Sequence, residues 1–369
     1  MDDKTVRLSG ISIKNFRGIK EANIQGFSDI NVFIGRNGAG KSTLLEAIYL
    51  ASAFVNEKDP LTSELRINVI TKRRTDREAR VDKAILWYSL NTQYPIQLVL
   101  FFTDGKKIDL ECPYQQTLPD RIWIDIDKIY EKIRDIPSGY THFNYSSAQL
   151  LNINTNTYIN VPRLRNAFFR VFKKEIEFLN NVIIIDEKIL RHPEVLEQKI
   201  WLKILAKRLD KKIIEIMRKS YEKDAEDLSY VPMSGTYCLV LKLPHTVVRV
   251  DDLGDGARNA VLLTAYLLLV KNTIVLIEDP EIHQHPGGLF SILEFISEVA
   301  KSNDLQVFMT THSLELIRLI KKIAEEKKIG LRIFFLEREN GIVHARIIES
   351  VDLDIIQDLG IDPRFLDLF

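Results

Sequence analysis

The sequence predicts an α/β protein with an antiparallel β subdomain and an inserted helical lid. Residues 29–34 read as an apolar strand that runs directly into a glycine-rich segment, which a helix at 43–54 follows. Alternating strands and helices return after Tyr237, whereas residues 113–230 have the charged, weakly periodic composition of long helices. We therefore expect three parts, the outer two forming one core: 1–112, 113–235 and 236–369.

The first part is predicted to be rich in strands. Val6–Phe16 alternates apolar and polar residues and reads as a strand pair or a bulged strand. Asp104-Gly105 is a hairpin signal between two apolar runs. Three further strands are expected at residues 81–90, 96–102 and 107–112.

The later parts are predicted to change from helical to alternating structure. Pro193–Glu222 carries apolar residues at helical spacing and is expected to form one long helix. A closing hairpin at 332–348 should turn on Asn340-Gly341. Between them we expect a strand ending near 243, strands at 273–277 and 306–310, and helices at 257–270 and 287–301.

Composition narrows the classes of partner. Lysine plus arginine and aspartate plus glutamate both number 51 in 369 residues, so no overall basic field attracts nucleic acid. The two cysteines, Cys112 and Cys238, lack metal-site spacing. The longest apolar run, Val261–Val270, is too short for a bilayer and no signal peptide precedes it, so we expect a cytoplasmic protein without membrane contact. A local basic cluster remains: Lys72, Arg73, Arg74, Arg77 and Arg80.

The glycine-rich segment fits the phosphate-loop pattern GxxxxGK[ST] between a strand and a helix. Glycines let backbone N–H groups wrap phosphates, and the helix N-terminus adds partial positive charge. Lys41 is predicted to reach the β- and γ-phosphates and Ser42 to ligate Mg²⁺. The expected nucleotide-binding residues are Gly35, Arg36, Asn37, Gly38, Ala39, Gly40, Lys41, Ser42 and Thr43.

A buried strand at 273–277 ends in two carboxylates, which is a Walker B pattern. Glu278 is expected to hold Mg²⁺ or its water, and Asp279 to orient and deprotonate the attacking water. Asp186-Glu187 also follows four apolar residues and is an alternative. Chain order favours Glu278 and Asp279, because Asp186 precedes the remaining motifs.

Three of the histidines that follow the acidic pair are candidate site residues. His312 ends an apolar strand in Thr-His-Ser, and we expect it to be functional in catalysis. His283 and His285 have the H-x-H spacing of a zinc site with Glu281 nearby. Their place directly after the Walker B strand instead favours a segment that crosses a dimer interface.

Residues 253–258, Leu-Gly-Asp-Gly-Ala-Arg, open a predicted helix. Two glycines at a helix N-terminus can form a second anion-binding surface, to which Gly254, Asp255 and Gly256 would contribute. A plain turn before a helix is the alternative reading.

The ordered set GRNGAGKS, LGDGAR, LIEDPEIHQHP and TTHS resembles the SMC/RecF-like ABC-type ATPases. It is most similar to the compact AAA-family ATP-binding proteins related to the OLD (overcoming lysogenisation defect) nucleases. Ile13–Ile19 also resembles that group's N-terminal strand motif.

The resemblance implies a P-loop NTPase fold of the ABC-ATPase head type that uses ATP and Mg²⁺ as cofactors. It implies an ATP-dependent, head-to-tail homodimer in which Gly254–Gly256 cap the γ-phosphate on the opposite phosphate loop. By the same resemblance His312 contacts the γ-phosphate and Arg17 contacts a phosphate.

This sequence also departs from the family. Gly254 replaces the usual signature serine, and Asp279 replaces the usual glutamate base. Gln93 and Gln97 are only candidates for the Q-loop glutamine. No acidic toprim nuclease domain is expected after His312, so we do not expect nuclease activity in the same chain.

Two functions follow from these features. The first is an ATP-driven switch acting on DNA or RNA in maintenance or defence, which the resemblance and the cluster at 72–80 favour. The second is a regulatory ATPase that controls a separate protein effector, which the zero net charge and the helical insertion suit. A transporter subunit is disfavoured by the nonstandard signature at 253–258.

Overall fold

The computed structural model describes most of the chain and divides it into two compact units. The first unit comprises Met1–Phe27, Gly35–Val182 and Phe334–Ile347, and the second comprises Ser28–Ile34, Ile183–Ile333 and Ile348–Phe369. The three-part division of the sequence stays a prediction. The described residues are 5–73, 82–114, 121–126, 136–152, 154–191, 200–233, 236–349, 352 and 362–364.

The strands are numbered in chain order. They are β1 (Leu8–Phe16), β2 (Ile19–Gln25), β3 (Ile30–Ile34), β4 (Ile96–Phe102), β5 (Lys107–Cys112), β6 (Trp123–Asp125), β7 (His142–Asn144), β8 (Gln149–Asn152), β9 (Thr157–Asn160), β10 (Ile183–Ile185), β11 (Asp227–Met233), β12 (Thr236–Leu243), β13 (Thr246–Arg249), β14 (Thr273–Glu278), β15 (Leu305–Thr310), β16 (Leu331–Glu339) and β17 (Ile342–Ile348).

The α-helices are numbered in the same way. They are α1 (Lys41–Ser52), α2 (Arg66–Arg73), α3 (Pro162–Val171), α4 (Lys173–Leu179), α5 (Glu187–Leu190), α6 (Trp201–Ala206), α7 (Asp210–Ser220), α8 (Asp255–Leu269), α9 (Pro286–Ser302) and α10 (Leu314–Lys327). Among the residues that the structure describes, no helix combines the length and the apolar character needed to span a bilayer.

The first unit is built on a largely antiparallel sheet. Its strand order is β16-β17-β2-β1-β4-β5-β6-β7-β8-β9. The pairing of β1 with β4 shifts register between Leu8 and Gly10, which confirms the predicted bulge. The hairpin of β16 and β17 turns on Asn340 (φ 50°) and Gly341 (φ 83°), as the sequence predicts, because this turn needs two left-handed residues.

The strand predicted at 81–90 is wrong. Its described residues form short 3-10 helices at Lys83–Leu86 and Tyr88–Leu90. Ser89 and Leu90 have φ values of 52° and 58°, which a continuous strand does not allow. Leu86 and Trp87 are buried, but they pack from short helical turns and do not form the face of a strand.

The long helices predicted for 113–230 are wrong for the first part of that range. β6 to β9 form an antiparallel meander that continues the first unit's sheet from β5. Each of these strands has only three or four residues, so little period-two alternation is visible in the sequence. Among the described residues of this range, helices begin only at Pro162.

The single helix predicted at 193–222 is also corrected. Residues 192–199 lie outside the described part of the chain. The rest forms α6 and α7, which are separated at Arg208, whose φ is 55°. A left-handed residue ends a helix, although the apolar spacing continues through it. The predicted apolar face survives in α7 as buried Ile213, Ile216 and Met217.

The second unit contains a parallel sheet in the order β10-β14-β15-β3. These strands read as continuous apolar runs because both faces of such a sheet are buried. Helices α8, α9 and α10 pack side by side near it, and β11-β12-β13 forms a separate antiparallel sheet. The strand and helix alternation predicted after Tyr237 is confirmed here.

Candidate nucleotide-binding site

The phosphate loop owes its path to glycine. Gly35, Gly38 and Gly40 have φ values of 136°, 81° and 102°, a region that other residues rarely occupy. A Cβ atom at Gly35 would lie 2.3 Å from the carbonyl oxygen of Leu336. The loop is therefore open to glycine alone at this point, and its backbone can turn tightly enough to surround an anion.

Lys41 closes the loop from inside. Its side chain is buried, and Nζ donates to the carbonyl oxygen of Gly35 at 2.8 Å and to that of Arg36 at 3.2 Å. Arg36, Asn37 and Gly38 are exposed along the outer side, whereas Ala39 and Thr43 are buried. The ammonium group is thus held against the backbone of the loop, and its charge suits a phosphate bound there.

Helix α1 begins at Lys41 with an N-terminus that no N-cap side chain covers. Gly40 is its N-cap, with no side-chain cap hydrogen bond, and no acidic residue occupies its first turn. The first N–H groups of a helix need an acceptor and carry partial positive charge. Half-buried Ser42 lies in this turn. The residues present thus fit a bound phosphate, and the Ser42 hydroxyl fits the part of a magnesium ligand.

Arg17 lies beside α1 in a buried cluster. Its Nε atom is 2.6 Å from Oε2 of Glu46, and its NH2 group donates to the carbonyl oxygen of Ile70 at 2.5 Å. Arg73 lies 3.4 Å from the other oxygen of Glu46. The guanidinium of Arg17 therefore braces α1, and its contact with a phosphate stays a prediction. The remainder of the basic cluster, residues 74–80, lies outside the described residues.

A further arginine lies beside the loop. Arg338 in β16 donates from NH1 to the carbonyl oxygen of Gly18 at 3.1 Å. Its NH2 atom lies 3.6 Å from the position of a Cβ on Gly38. No motif marks this residue, because only the pairing of distant strands brings it near the loop.

In the second unit, the predicted acidic and histidine residues share one edge of the parallel sheet. Glu278 of β14 pairs with Thr310 of β15, and Thr310 pairs with Phe33 of β3. Thr311 N also donates to the carbonyl oxygen of Phe33 at 3.2 Å. Glu278 and the strand that leads to His312 therefore end at the same edge of the second unit's parallel sheet.

Asp279 adopts a strained backbone that Thr310 supports. Its φ is 45°, in the left-handed region that few residues other than glycine enter. Asp279 N donates to Thr310 Oγ1 at 3.2 Å, and Thr310 Oγ1 donates to Asp279 Oδ1 at 3.1 Å. The carboxylate is consequently held half-buried at the end of β14. Strain of this kind is characteristic of functional sites.

His312 is exposed, and its backbone is fixed on both sides. His312 N donates to Glu281 Oε1 at 2.9 Å, and the same oxygen accepts from Thr311 Oγ1 at 2.7 Å. Arg364 NH1 donates to the carbonyl oxygen of His312 at 2.8 Å. The sequence suggested Glu281 only as a possible zinc ligand, whereas the structure ties it to the histidine segment.

The other two histidines, His283 and His285, contact different residues. His283 Nε2 lies 3.5 Å from Glu187 Oε1, and His285 Nδ1 accepts from Gly287 N at 3.3 Å as the N-cap of α9. Within the described ranges no group of three histidine, cysteine or acidic residues suits a metal ion. The zinc alternative therefore receives no support from this geometry.

The alternative acidic pair is engaged locally. β10 pairs with β14, which places Asp186 at the same edge as Glu278. Asp186 Oδ1 accepts from Ile189 N at 2.9 Å and caps α5, and Glu187 forms an ion pair with Arg191. Both carboxylates therefore have local partners, as Asp279 does, and the preference for Glu278 and Asp279 stays a prediction.

The predicted second anion-binding surface lies at the start of α8. Gly254 is the N-cap without a side-chain cap hydrogen bond, and a Cβ there would meet no atom within 4 Å. Asp255 pairs with Arg258 at 2.8 Å. A Cβ at Gly256 would lie 2.6 Å from the carbonyl oxygen of His283, so this glycine permits close approach of the segment after β14.

The two Q-loop candidates lie in different surroundings. Gln97 Nε2 donates to Glu111 Oε1 at 2.8 Å across β4 and β5, whereas Gln93 lies in an exposed turn. Neither assignment gains support from these positions.

Two ranges of the sequence match known protein families. Residues 7–234 match the family described as AAA ATPase domain. Residues 241–318 match a second AAA domain family, whose description also names an AbiEii toxin of a Type IV TA system.

Among curated relatives, the chain is 24% identical to an ATP/GTP phosphatase of Helicobacter pylori, over 94% of this chain and 97% of that protein. It is 25% identical to the DNA replication and repair protein RecF of Oenococcus oeni over 62% of each. Among solved structures, the Smc head domain of Pyrococcus furiosus bound to the C-terminal domain of ScpA superimposes with a TM-score of 0.53 at 12% identity. That match covers 96% of this chain and 100% of the Smc chain. The chain therefore belongs to the AAA ATPase domain family, and it is similar in sequence to RecF and in fold to the Smc head domain.

Proposed function

We propose that the chain hydrolyses MgATP and that ATP binding joins two copies head to tail. The observation that carries the proposal is the uncapped N-terminus of α1, which follows a loop shaped by positive-φ glycines and closed by Lys41. A ready-made anion site of this kind suits a polyphosphate. The Walker B carboxylates and His312 add the groups that hydrolysis needs.

Nucleotide binding is assigned to the phosphate loop and α1. Lys41 would exchange its bonds to the Gly35 and Arg36 carbonyl oxygens for the β- and γ-phosphate oxygens. Backbone N–H groups from 35–43 would bind the remaining oxygens. Ser42 and Glu278 are the proposed ligands of Mg²⁺, which when bound neutralises charge on the β- and γ-phosphates.

Hydrolysis is assigned to the edge that carries Asp279. The Asp279 carboxylate would orient a water molecule and accept its proton as the water oxygen bonds to the γ-phosphorus. The bond from that phosphorus to the bridging oxygen breaks, which yields ADP and inorganic phosphate. His312 would contact the γ-phosphate and report its presence, and the bonds from Thr310 would keep Asp279 aimed.

Dimerisation is assigned to the start of α8. The open space around Gly254 and the uncapped helix end leave N–H groups for a γ-phosphate presented by the opposite copy. ATP would then join two weakly attractive surfaces, and hydrolysis would release them.

The test of this proposal is the mass of the particle in solution. Light scattering on the wild-type chain with Mg²⁺ should give a monomer without nucleotide, a dimer with ATP and a monomer again with ADP. Release of phosphate should accompany the return to monomer. A chain that binds ATP but keeps one mass under every nucleotide would disprove the ATP-dependent dimer.

A second candidate function, nucleic-acid binding, is favoured by the outer face of α3. Residues 162–174 contain five basic residues and no acidic one. Arg163 and Arg170 lie seven positions apart, hence on one face, and are exposed while Leu164 and Phe168 are buried. Such a face suits contacts with the phosphates of DNA or RNA.

Removing two of these charges should weaken duplex DNA binding in a salt-dependent way. The slope of log K for DNA binding against log salt concentration is negative. In Arg163→Ala/Arg170→Ala its magnitude should decrease by about two, because each phosphate contact contributes about 0.9. Fluorescence anisotropy over a salt series measures this slope. The exposed pair Lys203→Ala/Lys207→Ala is the charge-matched control and should retain the slope. Absence of DNA binding by the wild type would favour the alternative, a regulatory ATPase acting on a separate protein effector.

A further inference from the structure

The segments that follow β14 and β15 are joined by one carboxylate. Glu281 Oε1 accepts two hydrogen bonds, from Thr311 Oγ1 at 2.7 Å and from His312 N at 2.9 Å. Thr311 Oγ1 also accepts from Ser313 N at 2.9 Å, so Glu281 stands at the head of a short chain of bonds through the histidine segment. These contacts fix the backbone of His312 while its ring remains exposed.

The other oxygen of this carboxylate, Oε2, accepts no hydrogen bond from the described residues. Glu281 Oε2 is buried and has no hydrogen-bond partner within the part of the chain that the structure describes. Burial raises the pKa of Glu281, and the nearby charge of Asp279 raises it further, while the bonds from Thr311 and His312 act in the opposite direction. An unsatisfied buried oxygen destabilises a fold, so the two hydrogen bonds that Oε1 accepts are what this carboxylate contributes to the histidine segment.

We propose that Glu281 is the positioning residue of His312, holding the histidine backbone so that its ring meets the γ-phosphate. The inference rests on the proposed function, in which His312 contacts the γ-phosphate. Glu281 itself would touch neither substrate nor metal. Its effect should therefore pass entirely through His312.

A double-mutant cycle tests this dependence. The turnover number for ATP is measured for the wild type, Glu281→Ala, His312→Ala and the double variant. We expect Glu281→Ala to lower kcat about tenfold, as loss of a hydrogen bond to a charged group implies, with little change in KM. The double variant should be no slower than His312→Ala, because a positioning residue has no effect once its target is absent.

Two further variants separate positioning from general damage. Glu281→Gln keeps an oxygen acceptor for both donors and should retain kcat within about threefold of the wild type. Glu315→Ala removes an exposed carboxylate in the first turn of α10, three residues after His312, and should leave kcat unchanged. If Glu281→Ala, Glu281→Gln and Glu315→Ala all lower kcat equally, the cause is general damage to the segment, and the inference is overturned.

A second readout is independent of catalysis. In the nucleotide-free chain, the His312 N–H should exchange with deuterium at least about tenfold faster in Glu281→Ala than in the wild type, since its acceptor is gone. Unchanged exchange would overturn the proposed contact even in an inactive protein.

The outcomes also separate this inference from the proposed function. If His312→Ala lowers kcat and Glu281→Ala multiplies that loss in the double variant, Glu281 acts elsewhere and only the inference fails. If His312→Ala leaves kcat unchanged, the assigned role of His312 fails, and the positioning role fails with it.

Discussion

Asp279→Asn should abolish most hydrolysis while ATP binding persists. The substitution keeps the size of the side chain and an oxygen that can accept from Thr310, but it removes the base that takes the proton of water. We expect kcat to fall about a hundredfold or more, the usual contribution of a general base. In light scattering with ATP, the dimer should persist long after the wild type has returned to monomer.

The control for this variant is Asp224→Asn, which neutralises an exposed aspartate between α7 and β11. It should match the wild type in kcat and in dimer lifetime. If Asp279→Asn hydrolyses ATP at the wild-type rate, Asp279 is not the base. Asp186 and Glu187, at the same edge of the parallel sheet, would then be the next carboxylates to replace.

Lys41→Ala should remove nucleotide binding. The ammonium group is the charged donor at the mouth of the phosphate loop, and its two bonds also hold the Gly35 and Arg36 carbonyl oxygens. Loss of charge-assisted bonds to phosphate should weaken ATP binding by about a hundredfold. Titration calorimetry with ATP and ADP measures the change, and dimer formation should disappear at ordinary ATP concentrations.

Lys322→Ala, which removes an exposed lysine of α10, is the matched control and should bind ATP normally. Thermal unfolding of both variants checks the fold. Wild-type affinity in a folded Lys41→Ala chain would falsify the assignment of this loop as the nucleotide site.

The elements that could be predicted have long apolar patterns. β14, β15 and α8 are continuous buried runs, so their period and bounds are readable from the residues alone. The meander of β6 to β9 is not readable in this way. A strand such as His142–Asn144 is defined by pairing with a partner rather than by its own pattern.

The candidate site shows the same division. Gly35, Gly38 and Gly40 could be found because a tight loop around phosphate demands glycine at fixed spacing. The contact of Glu281 with His312 could not, since the two residues are thirty-one positions apart and meet only through the pairing of β14 and β15. Arg338 was missed for the same reason.

The Lys41 ammonium group donates to two carbonyl oxygens of the phosphate loop itself. An incoming phosphate therefore replaces one set of hydrogen bonds with another, instead of ordering a slack loop. Little conformational entropy should be lost in the loop on binding, and the measured enthalpy should be the small difference between two sets of bonds. The lysine would thus exchange two backbone oxygens for phosphate oxygens as its acceptors, with little rearrangement of the loop.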